Sequence, residues 1–209
     1  MSLAPYPGLR FIRLRRYLVL PALFLLLGSN ANALILLLGD SIGAGFGVPV
    51  ERSWANLLEQ QIAPQKIINA SISGDTSSGA KARLPALLKH YQPDIVILEV
   101  GGNDGLRGQP TALLEKNLKA MVELSRKAGA DVLLLGMHIP PNYGASYTEA
   151  FHQAYHNVAK SLSVPLVPFL LEGIALTPDL MQADRVHPNA KAQPLIVQNV
   201  LPLLEPMLN

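Results

Sequence analysis

Short apolar runs alternate with amphipathic stretches along this chain, and that alternation restricts the fold more than any other feature. The apolar runs lie at residues 34–38, 66–68, 95–100 and 132–135, with a weaker fifth at 165–169. Short, continuous apolar runs are the mark of parallel strands buried on both faces. Helix-like segments fall between them, at roughly 53–61, 78–90, 111–128 and 147–161, with a last one after Pro188. Strand–helix alternation predicts an α/β fold, a parallel five-stranded sheet covered by helices on both faces and joined by right-handed crossovers. No internal repeat, low-complexity tract or linker divides the chain, and its 209 residues suit one domain.

The N-terminal stretch reads differently. Arg10, Arg13, Arg15 and Arg16 precede an uncharged run at 17–27, and the small residues Ser29, Ala31 and Ala33 follow. A basic head, a short apolar core and an A-x-A-like site make up a secretory signal peptide. The expected division is a signal peptide at 1–33, cut after Ala31 or Ala33, and a single folded domain at 34–209, which implies a periplasmic or secreted protein. An uncleaved anchor is the alternative, but about 11 apolar residues interrupted by Pro21 fall short of the roughly 20 that span a bilayer. No stable membrane insertion is therefore expected after cleavage.

Removing that segment takes away four arginines, leaving 13 basic residues against 15 acidic ones. A chain of this balance has no dense Lys/Arg cluster to follow a phosphate backbone, so nucleic acid is not an expected partner. The absence of cysteine excludes a thiol nucleophile, disulfide staples and Cys-ligated zinc.

In an open parallel sheet, ligands bind beyond the carboxyl ends of the strands. The residues there are small and polar: Gly39-Asp40-Ser41 after the first strand, 69–75 after the second, Gly101-Gly102-Asn103-Asp104 after the third and Gly136-Met137-His138 after the fourth. Ser41 stands at a strand-to-loop junction among glycines, where it could serve as a nucleophile or merely cap a helix. A serine hydroxyl needs a base, and the base needs an orienting group. His138 lies on the correct edge. His187 is better placed, because Pro188 disfavours helical backbone at His187 and Asp184 is near enough to accept its ring proton. His90, His152 and His156 read as solvated helix surface. The i, i+4 pair His152/His156 resembles half of a zinc site but lacks the glutamate of H-E-x-x-H and an obvious third ligand, so no metal is expected. Gly74 and Asn103, on two separate post-strand loops, are candidates for stabilising an oxyanion.

The blocks Gly39-Asp40-Ser41-Ile42, Gly74, Gly101-Gly102-Asn103-Asp104 and Asp184-x-x-His187 resemble, in order, the four blocks of the SGNH (GDSL-type) hydrolases. The resemblance implies a flavodoxin-like three-layer α/β/α sandwich and a Ser41–His187–Asp184 triad. It also implies an oxyanion hole of the Ser41 N–H, the Gly74 N–H and the Asn103 side chain, with no cofactor. Ile42 replaces the usual leucine, a conservative change. Asn69 through Ser77, Arg83 through Leu88, Gly101 through Gly108 and Pro141-Asn142-Tyr143-Gly144 are similar to the multifunctional bacterial periplasmic esterases of that family. This implies a monomer that acts on small acyl esters, thioesters or lysophospholipids. It implies too a shallow acyl groove, for which Leu106, Arg107, Ile139, Pro140 and Tyr143 are the candidate lining residues. An acetylesterase or a non-catalytic envelope binding protein on the same fold are the competing expectations. A nucleotide-binding module is disfavoured, since Gly43-Ala44-Gly45-Phe46-Gly47 is not G-x-G-x-x-G and the second strand ends without a ribose-binding acid.

Overall fold

The computed structural model describes Met1 and residues 32–208. The expected signal peptide falls almost wholly on residues 2–31, outside the described residues. The sheet begins directly after it, with β1 (Leu34–Gly39), β2 (Lys66–Asn69), β3 (Ile95–Glu99), β4 (Asp131–Leu135) and β5 (Leu166–Val167). All four pairings are parallel and the spatial order is β2-β1-β3-β4-β5. This is the flavodoxin-like order of doubly wound sheets.

The order decides where the helices go. The step from β1 to β2 runs one way across the sheet and the steps from β2 through β5 run the other. Right-handed crossovers then place α1 (Trp54–Gln61) on one face and α2 (Ser77–Tyr91), α4 (Thr111–Lys127) and α5 (Ala145–Leu162) on the opposite face. The packing follows: α1 meets the closing helix α6 (Gln193–Leu204), while α2 meets α4 and α4 meets α5. Helix starts are set locally, with Ser53 capping α1 through the Asn56 N–H and Thr76 capping α2 through the Gly79 N–H.

The core follows the apolar runs. In β3 every residue is buried, and in β1 and β4 only the first residue is not. The edge strand β2 is half exposed, which lets it carry Lys66 and Asn69. Two expectations need correction. The fifth strand is only Leu166–Val167, because Pro165 and Pro168 flank it and cannot donate to the ladder. The segment after β3 is not an open loop but a short helix, α3 (Gly102–Leu106), so Asn103 sits in its first turn. Gly101 starts that helix at φ 117°, and a Cβ there would come within 2.3 Å of the Tyr155 hydroxyl, which donates to the Val100 carbonyl.

Candidate active site

The register that sets Gly39 beside Glu99 brings the serine-bearing turn over a buried acid. Glu99 is fully buried, and its Oε2 accepts the Asp40 N–H at 3.0 Å and the Gly43 N–H at 2.7 Å. A Cβ at residue 39 or 43 would lie 2.5 or 2.7 Å from that oxygen, so both positions must be glycine for the turn to close on the carboxyl. The turn is pinned further by the Trp54 indole N–H donating to the Ile42 carbonyl at 2.9 Å and the Asn69 amide donating to the Gly43 carbonyl at 2.8 Å. Ser41 is thus presented from a backbone held at four points.

Three groups meet in line. His187 Nε2 lies 2.8 Å from Ser41 Oγ, and His187 Nδ1 lies 2.7 Å from Asp184 Oδ2. The other Asp184 oxygen accepts the backbone N–H groups of Val186 and His187 at 2.9 and 3.0 Å. Partial burial raises the Asp184 carboxyl, but the hydrogen bonds from the His187 ring and those two backbone groups outweigh it and hold the pKa at about 2. Asp184 is therefore a carboxylate at neutral pH, which fixes the tautomer of His187 with Nδ1 protonated and Nε2 free to accept. Outside this line, the ring of Phe46 lies 4.7 Å from that of His187 and covers it, and Gln182 holds the loop by donating its backbone N–H to the His187 carbonyl at 2.8 Å.

The oxyanion candidates are coupled to the same turn. Asn103 Nδ2 donates to Asp40 Oδ2 at 3.1 Å, which uses one of its two protons and orients the other. Among the described residues, the N–H groups of Ser41 and Gly74 have no acceptor. Arg107 donates to the Gly74 carbonyl at 2.9 Å, tying the end of α3 to the loop after β2.

Asp40, only 2% exposed, sits between Glu99 and Asn103. Burial raises its pKa to about 6, against the lowering effect of the Ile42 N–H, Asn103 and Glu99. Glu99 is pushed well above the ordinary range, first by burial and then by the Asp40 charge. Its Oε1 has no hydrogen-bond partner in a place sealed from water, and the influence of the two carboxyl groups on each other raises Glu99 and lowers Asp40, which favours the proton on Glu99. Glu99 is thus the neutral partner and Asp40 the carboxylate that holds Asn103. Sequence reasoning did not single out either acid. The signal was present, since Glu99 is the one ionisable residue in the apolar run at 95–100.

The remaining candidates divide. Tyr143 donates its hydroxyl to the Leu106 carbonyl at 2.8 Å, so the segments after β3 and β4 do adjoin, and Pro140 is exposed beside them. Arg107 is exposed and donates to the Gly74 carbonyl. Ile139 is only 7% exposed and packs in the core, where the space above Gly105 receives its Cγ2. His138 does not meet Ser41. It stacks on His152 with ring centroids 3.8 Å apart and meets Phe169 edge-on at 4.5 Å. His152 and His156 are half-buried, not freely solvated.

Comparison with known proteins adds an independent line. The model of the GDSL-like lipase/acylhydrolase family matches residues 37–194, which span every site residue named above. The chain is 48% identical over 191 residues to esterase TesA of Pseudomonas aeruginosa, covering 90% of this chain and 95% of that one. It is 43% identical over 194 residues to thioesterase 1/protease 1/lysophospholipase L1 of Escherichia coli K12, covering 91% and 93%. Among solved structures, the psychrotrophic esterase EstA from Pseudoalteromonas sp., inhibited by monoethylphosphonate, superposes with a TM-score of 0.81 at 41% identity, over 85% of this chain and all of that one.

Proposed function

The chain belongs to the GDSL-like lipase/acylhydrolase family, and from that premise we infer an esterase and thioesterase of broad acyl specificity that works through an acyl-enzyme on Ser41. The observation that carries the assignment of Ser41 is the unbroken Ser41–His187–Asp184 line at 2.8 and 2.7 Å. His187 Nε2 takes the Ser41 proton as Oγ attacks the acyl carbonyl, and Asp184 stabilises the imidazolium that forms. The carbonyl oxygen becomes an oxyanion facing the N–H groups of Ser41 and Gly74 and the free proton of the Asn103 amide. Collapse expels the alcohol or thiol, which leaves with the proton from His187. Water then enters, gives its proton to the same nitrogen and releases the acid.

The substrates are small acyl esters, thioesters and lysophospholipids, a reading supported by the esterase and the thioesterase/lysophospholipase among the relatives. All triad and oxyanion residues come from one chain, in keeping with a monomer. Residues 1–33 serve as a signal peptide and residues 34–209 form the periplasmic or secreted enzyme. In support, β1 starts at Leu34, directly after that segment. The test is a fluorophosphonate probe followed by intact-mass and peptide analysis. One adduct at Ser41, absent from Ser41→Ala and from His187→Ala, is the expected result. Labelling that persists in Ser41→Ala, or folded protein that does not react, overturns the assignment. The same spectra locate the mature N-terminus in protein taken from the periplasm, expected at Asn32 or Leu34.

A further inference from the structure

Three histidines that the reaction does not use gather at the far end of β4. His138 follows β4 and stacks on His152 of α5, and one turn further along α5 His156 points its Nε2 at the Nε2 of His152, 3.0 Å away. The two rings are inclined at 69°, with centroids 4.6 Å apart. Two imidazole Nε2 atoms that face each other can share one proton, or each can bind the same cation. Metal–imidazole bonds run about 2.0–2.1 Å, so a cation on both nitrogens at this spacing would have an N–metal–N angle of about 90°. That angle belongs to square-planar and octahedral ions more than to tetrahedral zinc.

We propose that His152 and His156 form a bidentate binding site for a square-planar or octahedral divalent transition cation, Cu(II) or Ni(II). Among the described residues no three His, Cys, Asp or Glu side chains converge on a common point, so the protein supplies two ligands and solvent completes the shell.

On binding, the cation displaces the proton shared between the two Nε2 atoms. That proton is taken up at the Nδ1 of the ring that carried it, so both rings stay neutral and none is lost overall. Nδ1 of His152 is buried and has no hydrogen-bond partner. Glu149 and Glu172, which act electrostatically on His138, add negative charge to the neighbourhood. Stacking of His138 on His152 fixes the ring that would otherwise lose most freedom on binding.

The proposal is independent of the esterase chemistry and its test does not depend on activity. Protein purified without a polyhistidine tag is titrated calorimetrically with NiCl2 and CuCl2 at neutral pH, with melting temperature followed in parallel. One equivalent should bind at micromolar concentrations. His156→Gln and His152→Gln should each weaken binding at least tenfold and abolish the metal-dependent rise in melting temperature, whereas His90→Gln should change neither. His156 is half-buried, so its variant keeps the test open if His152→Gln fails to fold. Absence of binding up to millimolar metal overturns the proposal. So does binding that survives in His156→Gln, or binding lost instead in His187→Gln, which would assign the ion to the triad.

Discussion

Replacing Glu99 tests whether a neutral acid supports the nucleophile. In Glu99→Ala the Gly43 N–H loses its only acceptor, whereas the Asp40 N–H keeps the Glu99 backbone carbonyl at 3.1 Å. An orphaned buried donor costs about 1–3 kcal/mol, and the lost γ-methylene adds about 0.8 kcal/mol. The sum, roughly 2–4 kcal/mol, lowers the melting temperature by roughly 4–16 °C in a domain of this size. Glu99→Gln should behave differently. Its amide oxygen still accepts from the Asp40 and Gly43 N–H groups and its NH2 replaces the Oε1 hydroxyl, so the loss near pH 6 should be under about 1 kcal/mol.

The pH dependence carries the sign. Glu99 is raised above its unfolded value of 4.5, so above that pH the folded state binds the proton that the unfolded state has released. Its stabilising contribution is complete below about pH 4.5 and is lost as pH rises toward its folded pKa, at up to about 1.4 kcal/mol per pH unit. Asp40, raised to about 6, acts in the same direction over its own window, from about 4 to about 6. Glu99→Gln removes the first contribution, so its stability relative to wild type should improve steadily with pH. Urea melts from pH 4.5 to 8, with ester hydrolysis measured on each variant, provide the assay. A glutamine variant as unstable as the alanine variant at pH 6, or a wild-type stability flat across this range, refutes a protonated Glu99.

Asn103→Ala should lower kcat by about 10² to 10³, equivalent to roughly 2.7–4 kcal/mol, with little change in KM, because an oxyanion donor acts on the transition state. A change confined to KM would reduce Asn103 to a partner of Asp40. Across p-nitrophenyl esters from acetate to palmitate, kept below micelle-forming concentrations, kcat/KM should climb over several carbons and then level, since each buried methylene contributes up to about 0.8 kcal/mol. A maximum at acetate would make the enzyme an acetylesterase and remove Leu106, Pro140 and Tyr143 from an acyl groove.

What sequence could reveal depended on whether the controlling interaction was local. The strands and the residues just beyond them were legible because burial on both faces leaves an apolar run and the chain must polarise where it exits. Asp184 and His187 were legible because three residues and a following proline suffice to bring carboxylate and ring together. Helix α3 was not, since Gly-Gly-Asn-Asp-Gly has poor helix propensity. Its start is set instead by the left-handed Gly101, which is packed against the Tyr155 hydroxyl more than fifty residues away.

Ile139 shows the same limit from the other side. Its place after β4 put it on the edge where the site was expected, yet whether such a residue is exposed or fills the core depends on Gly105. The missing side chain there opens the space that Ile139 Cγ2 and the Phe151 ring occupy. A glycine in the block that carries Asn103 thus lets the β4 segment pack beneath α3. Tyr143 then bonds the Leu106 carbonyl from outside, so the two segments enclose α3 between a buried isoleucine and a half-exposed tyrosine. Under the proposed function, an acyl groove here is expected on the outer side, over Leu106, Pro140 and Tyr143, with the buried Ile139 beneath it.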